Sequence, residues 1–161
     1  MIKVDLAKSY DKSSWHFPNE ILVAYGFQHD WVHWIGNLVS SAFFSILVNG
    51  APSITFPAMR GLRQGDPLSP FLFILLAEGL GRSLKAKIWE GLTTGLRPHE
   101  GMQVQTHQQF VDDTMLMGLA SIREAKAIKC TLEAFKRASG LEVNKGKSQI
   151  FVDTSLESWN F

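Results

Sequence analysis

Over residues 2–6 the chain alternates loosely between apolar and polar side chains, the period of a strand with one buried face, and Asp5 lies near its end. An acid in or just after a buried strand is costly unless it is paired or used. Ser9, Tyr10 and Asp11 then lead into a helix containing Trp15, with Asp11 placed to cap it. Pro18 interrupts that helix, because proline is comfortable only in a first turn, so a second helix starts there, runs to Tyr25 and stops at Gly26. Asp30 caps a third helix, in which Trp31, Trp34, Ile35, Leu38 and Ala42 make one apolar stripe at helical spacing, read as core. Residues 43–48 are rich in strand formers, Asn49-Gly50 is a strong turn signal, and residues 53–56 can pair back as a hairpin.

Asp66 is the expected cap of a helix whose first turn holds Pro67 and Pro70. Residues 71–76 are apolar nearly all round, which predicts a central, buried helix. Residues 90–101, rich in Gly, Thr and Pro, read as a loop. Two apolar segments (103–111 and 114–117) flank Asp112-Asp113, which predicts a hairpin with both aspartates at or beside its turn. Ser121 and Glu124 form a capping box for a helix to about Arg137, ended by Ser139-Gly140. Short strands follow at 141–143 and 149–152 around Asn144-Lys145-Gly146-Lys147. Residues 153–161 read as a frayed end.

The 161 residues suit one domain that buries about 70% of its unfolded surface. A hydrophobic fraction of 45% with 19% charged residues is globular rather than disordered. The net charge of +1 carries no global signature of nucleic-acid binding, so any such surface is local. The single cysteine, Cys130, excludes an internal disulfide and fits a reducing compartment. No apolar leader opens the chain and no run is long enough to span a bilayer. These features predict a nuclear or cytoplasmic protein, not a secreted or membrane one.

Three places carry candidate chemistry. His29 and His33 have metal-ligand spacing on a helix, but no third ligand stands nearby in sequence and a zinc site is set aside. Asp112-Asp113 places two like charges side by side, which is unfavourable without a nearby cation; taken alone, the dipeptide is more simply a solvated turn. The loop RGLRQGDPLSP, residues 60–70, reads more sharply. A core helix needs neither two arginines nor a glutamine before it. Arg60, Arg63, Gln64 and exposed backbone N–H groups beside a helix N-terminus suit phosphate and base contacts.

Taken in order, these stretches form a specific set. KVDLAKSYDKSSW ends a strand on Asp5 with a tyrosine five residues on; FSILVNG and RGLRQGDPLSPFLFIL precede and open an apolar helix; FVDD sits on a hairpin; SGLEVNKGKS follows a helix. The set resembles the palm of a reverse transcriptase of the kind encoded by non-LTR (LINE-type) retrotransposons, especially plant ones, over residues 3 to about 151. FVDD alone is a weak signal, RGLRQGDPLSP a strong one.

The resemblance implies an α+β polymerase palm at residues 1–153, a small antiparallel sheet backed by helices, with a tail at 154–161. It implies RNA-directed DNA synthesis, the transfer of a nucleotide from a dNTP to a primer 3′-OH on an RNA template, using two Mg²⁺ (or Mn²⁺) ions. Asp5 and Asp112 are the implied metal ligands, with Asp113 as accessory and the Leu6 carbonyl as a further ligand. Tyr10 matches the aromatic under the sugar of the incoming nucleotide, where its ring would clash with a 2′-hydroxyl. Gln64 and Gly65 match residues that approach nucleotide and template, and Lys147 the lysine that assists the pyrophosphate. Against the family pattern, Pro18 replaces an aliphatic helix residue and Ser13-Ser14 replace bulkier ones. The fingers and thumb expected upstream and downstream are missing partners, and no endonuclease segment is present. The expectation is thus an inactive palm fragment of a decayed element or a partial gene. The alternative is a non-catalytic relic or a maturase-like RNA-binding module. A metal-dependent phosphohydrolase fits less well, because no general base accompanies the carboxylates.

Overall fold

The computed structural model describes residues 1–97, 99–110 and 112–152; the expected C-terminal tail and residue 111 of the FVDD stretch lie outside them. The chain forms two compact units. The first comprises Met1–Ala7, Leu80–Ala134 and the chain from Val143 onward, the second Lys8–Gly79 and Phe135–Glu142.

The first unit is built on an antiparallel sheet. Its strands are β1 (Ile2–Ala7), β6 (His107–Phe110), β7 (Asp113–Leu116), β8 (Glu142–Val143, of which Val143 belongs to this unit) and β9 (Gln149–Ile150). They run in the order β6-β7-β1-β8, and β9 also pairs with β1. The alternation expected over residues 2–6 is observed: Val4 and Leu6 are buried, as are Thr114 and Leu116 on β7. Since Val4 pairs with Thr114 and Ile2 with Leu116, these residues line one face of the sheet. Lys3, Asp5, Asp113 and Met115 line the other.

The helix expected from the capping box is α5 (Ile122–Ser139). Ser121 Oγ accepts from the Glu124 N–H, but Glu124 does not close the box on Ser121. Its carboxylate, buried within the unit, accepts from Leu119 N–H at 3.0 Å and from the N–H and hydroxyl of Thr94 at 3.1 and 2.7 Å. A buried carboxylate needs several donors, and the 90–101 loop supplies two of them.

In the second unit α1 (Ser9–Lys12) is a single turn, and α2 (His16–Ala24) and α3 (His29–Ser40) follow. Trp15 therefore precedes a helix rather than lying within one, and Asp11 sits inside α1 without a capping bond; Lys8, in a left-handed conformation, starts that turn. Pro18 falls in the first turn of α2, where its missing N–H does no harm.

The expected stripe on α3 is only partly core. Of its members Ile35 is buried, as is Ala42 beyond the end of α3, whereas Trp31 is 40%, Trp34 65% and Leu38 57% exposed; Val32, outside the stripe, is buried instead. Apolar residues occur on more than one face of α3, so spacing alone could not choose the buried one. The hairpin forms as expected, in two short ladders: β2 (Phe43–Phe44) with β5 (Phe56–Pro57), and β3 (Leu47–Val48) with β4 (Ala51–Pro52). Asn49 and Gly50 both have positive φ, as a two-residue hairpin turn of this hand requires.

Helix α4 (Ser69–Trp89) starts three residues after Asp66, whose carboxylate accepts from the Ser69 N–H and hydroxyl at 3.0 and 2.8 Å. It is not buried all round: Leu72, Phe73 and Leu76 are buried, while Phe71 and Ile74 are 67% and 63% exposed. No helix among the described residues is long and apolar enough to cross a membrane.

Candidate active site

Strands β6 and β7 end their ladder on the pair Phe110–Asp113. Asp112 is in the turn and Asp113 opens β7, as the sequence predicts. The last pair between β1 and β7 is Asp5 with Asp113. Directly opposed residues of an antiparallel pair share a face, with Cβ atoms roughly 4.5–5.5 Å apart. Two carboxylates from distant parts of the sequence are therefore neighbours on the side of the sheet away from Val4 and Leu6. It is Asp113, expected as the accessory, that stands opposite Asp5. Both are partly exposed and Asp112 is exposed.

Backbone hydrogen bonds fix Asp5. Its N–H donates to Ser148 Oγ at 3.2 Å, and its carbonyl accepts from Asn144 N–H at 2.8 Å. Ser148 Oγ donates in turn to the Asn144 carbonyl at 2.7 Å. The turn that carries Lys147 is thus tied to the strand that carries Asp5, and Lys147 is exposed on it. The Leu6 side chain is buried.

Lys3 lies two residues before Asp5 on the same face, and its Nζ is 3.2 Å from Asp113 Oδ2. Sequence reasoning missed this pair, although period-2 alternation alone puts Lys3 and Asp5 on one face.

Tyr10, Arg60, Arg63, Gln64 and Gly65 belong to the second unit. Its hub is the segment from Tyr10 to Trp15. Leu62 N–H donates to the Tyr10 carbonyl at 2.7 Å, Gly61 N–H to that of Ser13 at 2.8 Å, and Trp15 Nε1 to the Gly61 carbonyl at 2.6 Å. From the other side, Ser14 N–H donates to the Ser139 carbonyl at 2.7 Å. The RGLRQ and SGLEV stretches therefore clasp the backbone around Tyr10. The Tyr10 ring stacks on Phe73 of α4, centroids 5.0 Å apart and planes 17° from parallel, so it is held in one orientation. Arg60, Arg63, Gln64 and Gly65 are exposed on the loop. Gly65 has φ of +89° with open space around it, whereas Gly61, at +93°, is pressed against the Tyr10–Asp11 backbone.

Glu142 braces the same hub, accepting from Lys12 Nζ at 2.5 Å and Lys136 Nζ at 2.8 Å. The Lys12 hydrogen bond first, then that of Lys136 and the two positive charges, lower its pKa from 4.5 to about 2. A lowered folded-state value stabilises the fold above the unfolded value, and this contribution is lost as pH falls from about 4.5 through about 2.

Among the described residues, no three His, Cys, Asp or Glu side chains converge as a ready metal cage. His29 and His33 line a cleft with Asn19 and Ser40 but have no such third partner there. The carboxylates of Asp5 and Asp113 still suit Mg²⁺ or Mn²⁺ in kind. Mg²⁺ takes hard oxygen donors and is usually bound by one or two carboxylates plus substrate phosphates, not by an all-protein cage.

The profile of the reverse transcriptase (RNA-dependent DNA polymerase) family matches residues 1–160. An uncharacterized mitochondrial protein of Arabidopsis thaliana is 39% identical over half of the chain, which spans 66% of that protein. The Pol polyprotein of the type-2 retrotransposable element R2DM of Drosophila melanogaster is 29% identical over 89% of the chain, and a transposon TX1 protein of Xenopus laevis 26% identical over 97%. The chain spans 13% and 12% of those two relatives. In fold it resembles apo telomerase from Candida tropicalis, with a TM-score of 0.65 at 15% identity, covering 92% of the chain and 29% of the telomerase. The chain belongs to the reverse transcriptase family, with relatives among non-LTR retrotransposon polyproteins.

Proposed function

We propose that this chain is the palm of an RNA-directed DNA polymerase, in which Asp5, Asp112 and Asp113 hold two divalent ions for nucleotide transfer to a primer 3′-OH. The observation that carries this reading is the Asp5–Asp113 register, which sets carboxylates from two strands side by side on a partly exposed face beside the Asp112 turn. Ions held there would supply stabilisation of the attacking and leaving oxygens of an in-line displacement.

The chain's own residues position the reactants. Asp5, anchored through its backbone, and Asp113, at the head of β7, offer oxygen ligands from paired strands, and the Leu6 carbonyl adds a neutral one. Tyr10, its ring stacked on Phe73, is the aromatic assigned to the sugar of a dNTP. Gln64 and Gly65 approach the nucleotide and the template, Arg60 and Arg63 meet the phosphates of the RNA template and DNA primer, and Lys147 assists the departing pyrophosphate. Positioning of this kind supplies much of the acceleration in phosphoryl transfer.

The test grafts residues 1–152 in place of the matching segment of a related R2 polyprotein and measures primer extension on RNA. The graft should extend with dNTPs in a metal-dependent way. Tyr10→Ala should raise ribonucleotide use roughly tenfold or more relative to dNTP use, because it removes a clash worth about 1–3 kcal/mol. Tyr10→Phe, which keeps ring and stack, should leave discrimination unchanged. A folded graft without templated extension would support the RNA-binding relic instead. Unaltered discrimination in Tyr10→Ala would make Tyr10 a packing residue only.

A further inference from the structure

The face that carries Asp5 and Asp113 also carries a cation. Asp5 and Asp113 are directly opposed, an arrangement in which like charges destabilise a strand pair. Lys3 pairs in register with Met115, one same-face step along the ladder, and its ammonium reaches diagonally to Asp113 at 3.2 Å. Both side chains are partly exposed, at 38% and 49%, so the ammonium can leave for water without being stranded in an apolar setting.

We propose that Lys3 is a built-in counter-cation of the carboxylate pair, competing with divalent metal for Asp113 and so setting the metal affinity of the site. The proposal rests on the reading of Asp5 and Asp113 as metal ligands. Lys3 has two opposed effects. Without metal in solution, it offsets the Asp5–Asp113 repulsion and favours the folded sheet. Towards an arriving divalent ion it is a nearby like charge, and its bond to Asp113 must be given up. A lysine of purely structural value would have the first effect and not the second.

The experiment uses the 161-residue chain and Mn²⁺ alone as probe, counting free Mn²⁺ by its paramagnetic resonance and following thermal unfolding in parallel. Lys3→Met should bind Mn²⁺ about three- to tenfold more tightly, the size expected for removing one partly screened cation beside a divalent ion. In chelator its melting temperature should fall by about 1–3 °C, and the deficit should close at saturating Mn²⁺. Lys3→Gln, a second neutral side chain, should repeat both shifts. Lys3→Arg, which keeps the charge, should stay near the parent. Lys126→Met, an equal charge change at an exposed position on α5, should leave Mn²⁺ affinity unchanged.

Unchanged or weaker Mn²⁺ binding in both neutral variants, with binding still lost in Asp113→Asn, would overturn the Lys3 proposal alone. Wild-type binding that Asp5→Asn and Asp113→Asn leave intact, or no Mn²⁺ binding at all, would instead remove the metal-ligand reading on which the proposal rests.

Discussion

Asp5→Asn should reduce primer extension by the grafted polymerase roughly a thousandfold, while leaving the melting temperature of the chain unchanged or slightly raised. Removing one preorganised group that stabilises transition-state charge costs about 10²–10³ in rate, and here the lost group is also a metal ligand. The fold should tolerate the change, because the hydrogen bonds that anchor this residue to Ser148 and Asn144 come from its backbone. Neutralising Asp5 also relieves its repulsion with Asp113. Asp113→Asn should lose activity to a similar degree. Single-turnover extension measured beside thermal unfolding separates lost chemistry from lost fold. A fall of less than tenfold in a well-folded Asp5→Asn graft would argue against a ligand role.

The largest effect on stability should come from two glycines far apart in sequence. A Cβ on Gly61 would lie 2.8 Å from the Asp11 carbonyl oxygen, and one on Gly140 would lie 2.7 Å from that of Lys12. Both sites have positive φ, +93° and +76°, so alanine would meet backbone strain and a steric clash together. The obstructing atoms are main chain, held in the hub around Tyr10, and cannot rotate away. Gly61→Ala or Gly140→Ala should cost about 3–4 kcal/mol, strain of about 1–2 plus the displaced backbone, a large share of a net stability of about 5–15 kcal/mol. Gly26→Ala is the control, with φ of +86° and nothing within 4 Å of its Cβ, and should cost only about 1–2 kcal/mol. Urea unfolding of the three variants checks the ranking. Equal losses at all three would mean that the hub yields to the added methyl.

The contrast between Gly61 and Gly26 also shows what the sequence could reveal. Glycine in RGLRQG signals a special backbone conformation, but the chain that Gly61 presses against lies some fifty residues earlier, and nothing local names it. Features set by neighbours in sequence were legible: alternation in IKVDL, the Asn49-Gly50 turn, the Asp112-Asp113 turn and the Ser121 cap. Choices made by tertiary packing were not. Helix α3 offers apolar residues on several faces and buries Val32 and Ile35 while leaving Trp34 and Leu38 outside. Helix α4 exposes Phe71 and Ile74 for the same reason, since a run of apolar residues has no period from which to read a buried side. Glu124 satisfies its carboxylate on the 90–101 loop, a partner a capping motif cannot foresee. At the candidate site the residues were named by the resemblance of the ordered motifs, since Asp112-Asp113 alone reads as a solvated turn. The register that sets Asp113 opposite Asp5, and the lysine that bridges to it, required the paired strands.

The most direct test of the carboxylate pair as a metal site is anomalous diffraction from crystals of the chain soaked in Mn²⁺, recorded in parallel for Asp5→Asn. The account predicts an anomalous peak on the Lys3–Asp5–Asp113 face of the sheet, bridging the Asp5 and Asp113 carboxylates, and its loss in the variant. A peak confined to another site, such as the His29–His33 cleft, with none at the two carboxylates, would contradict it.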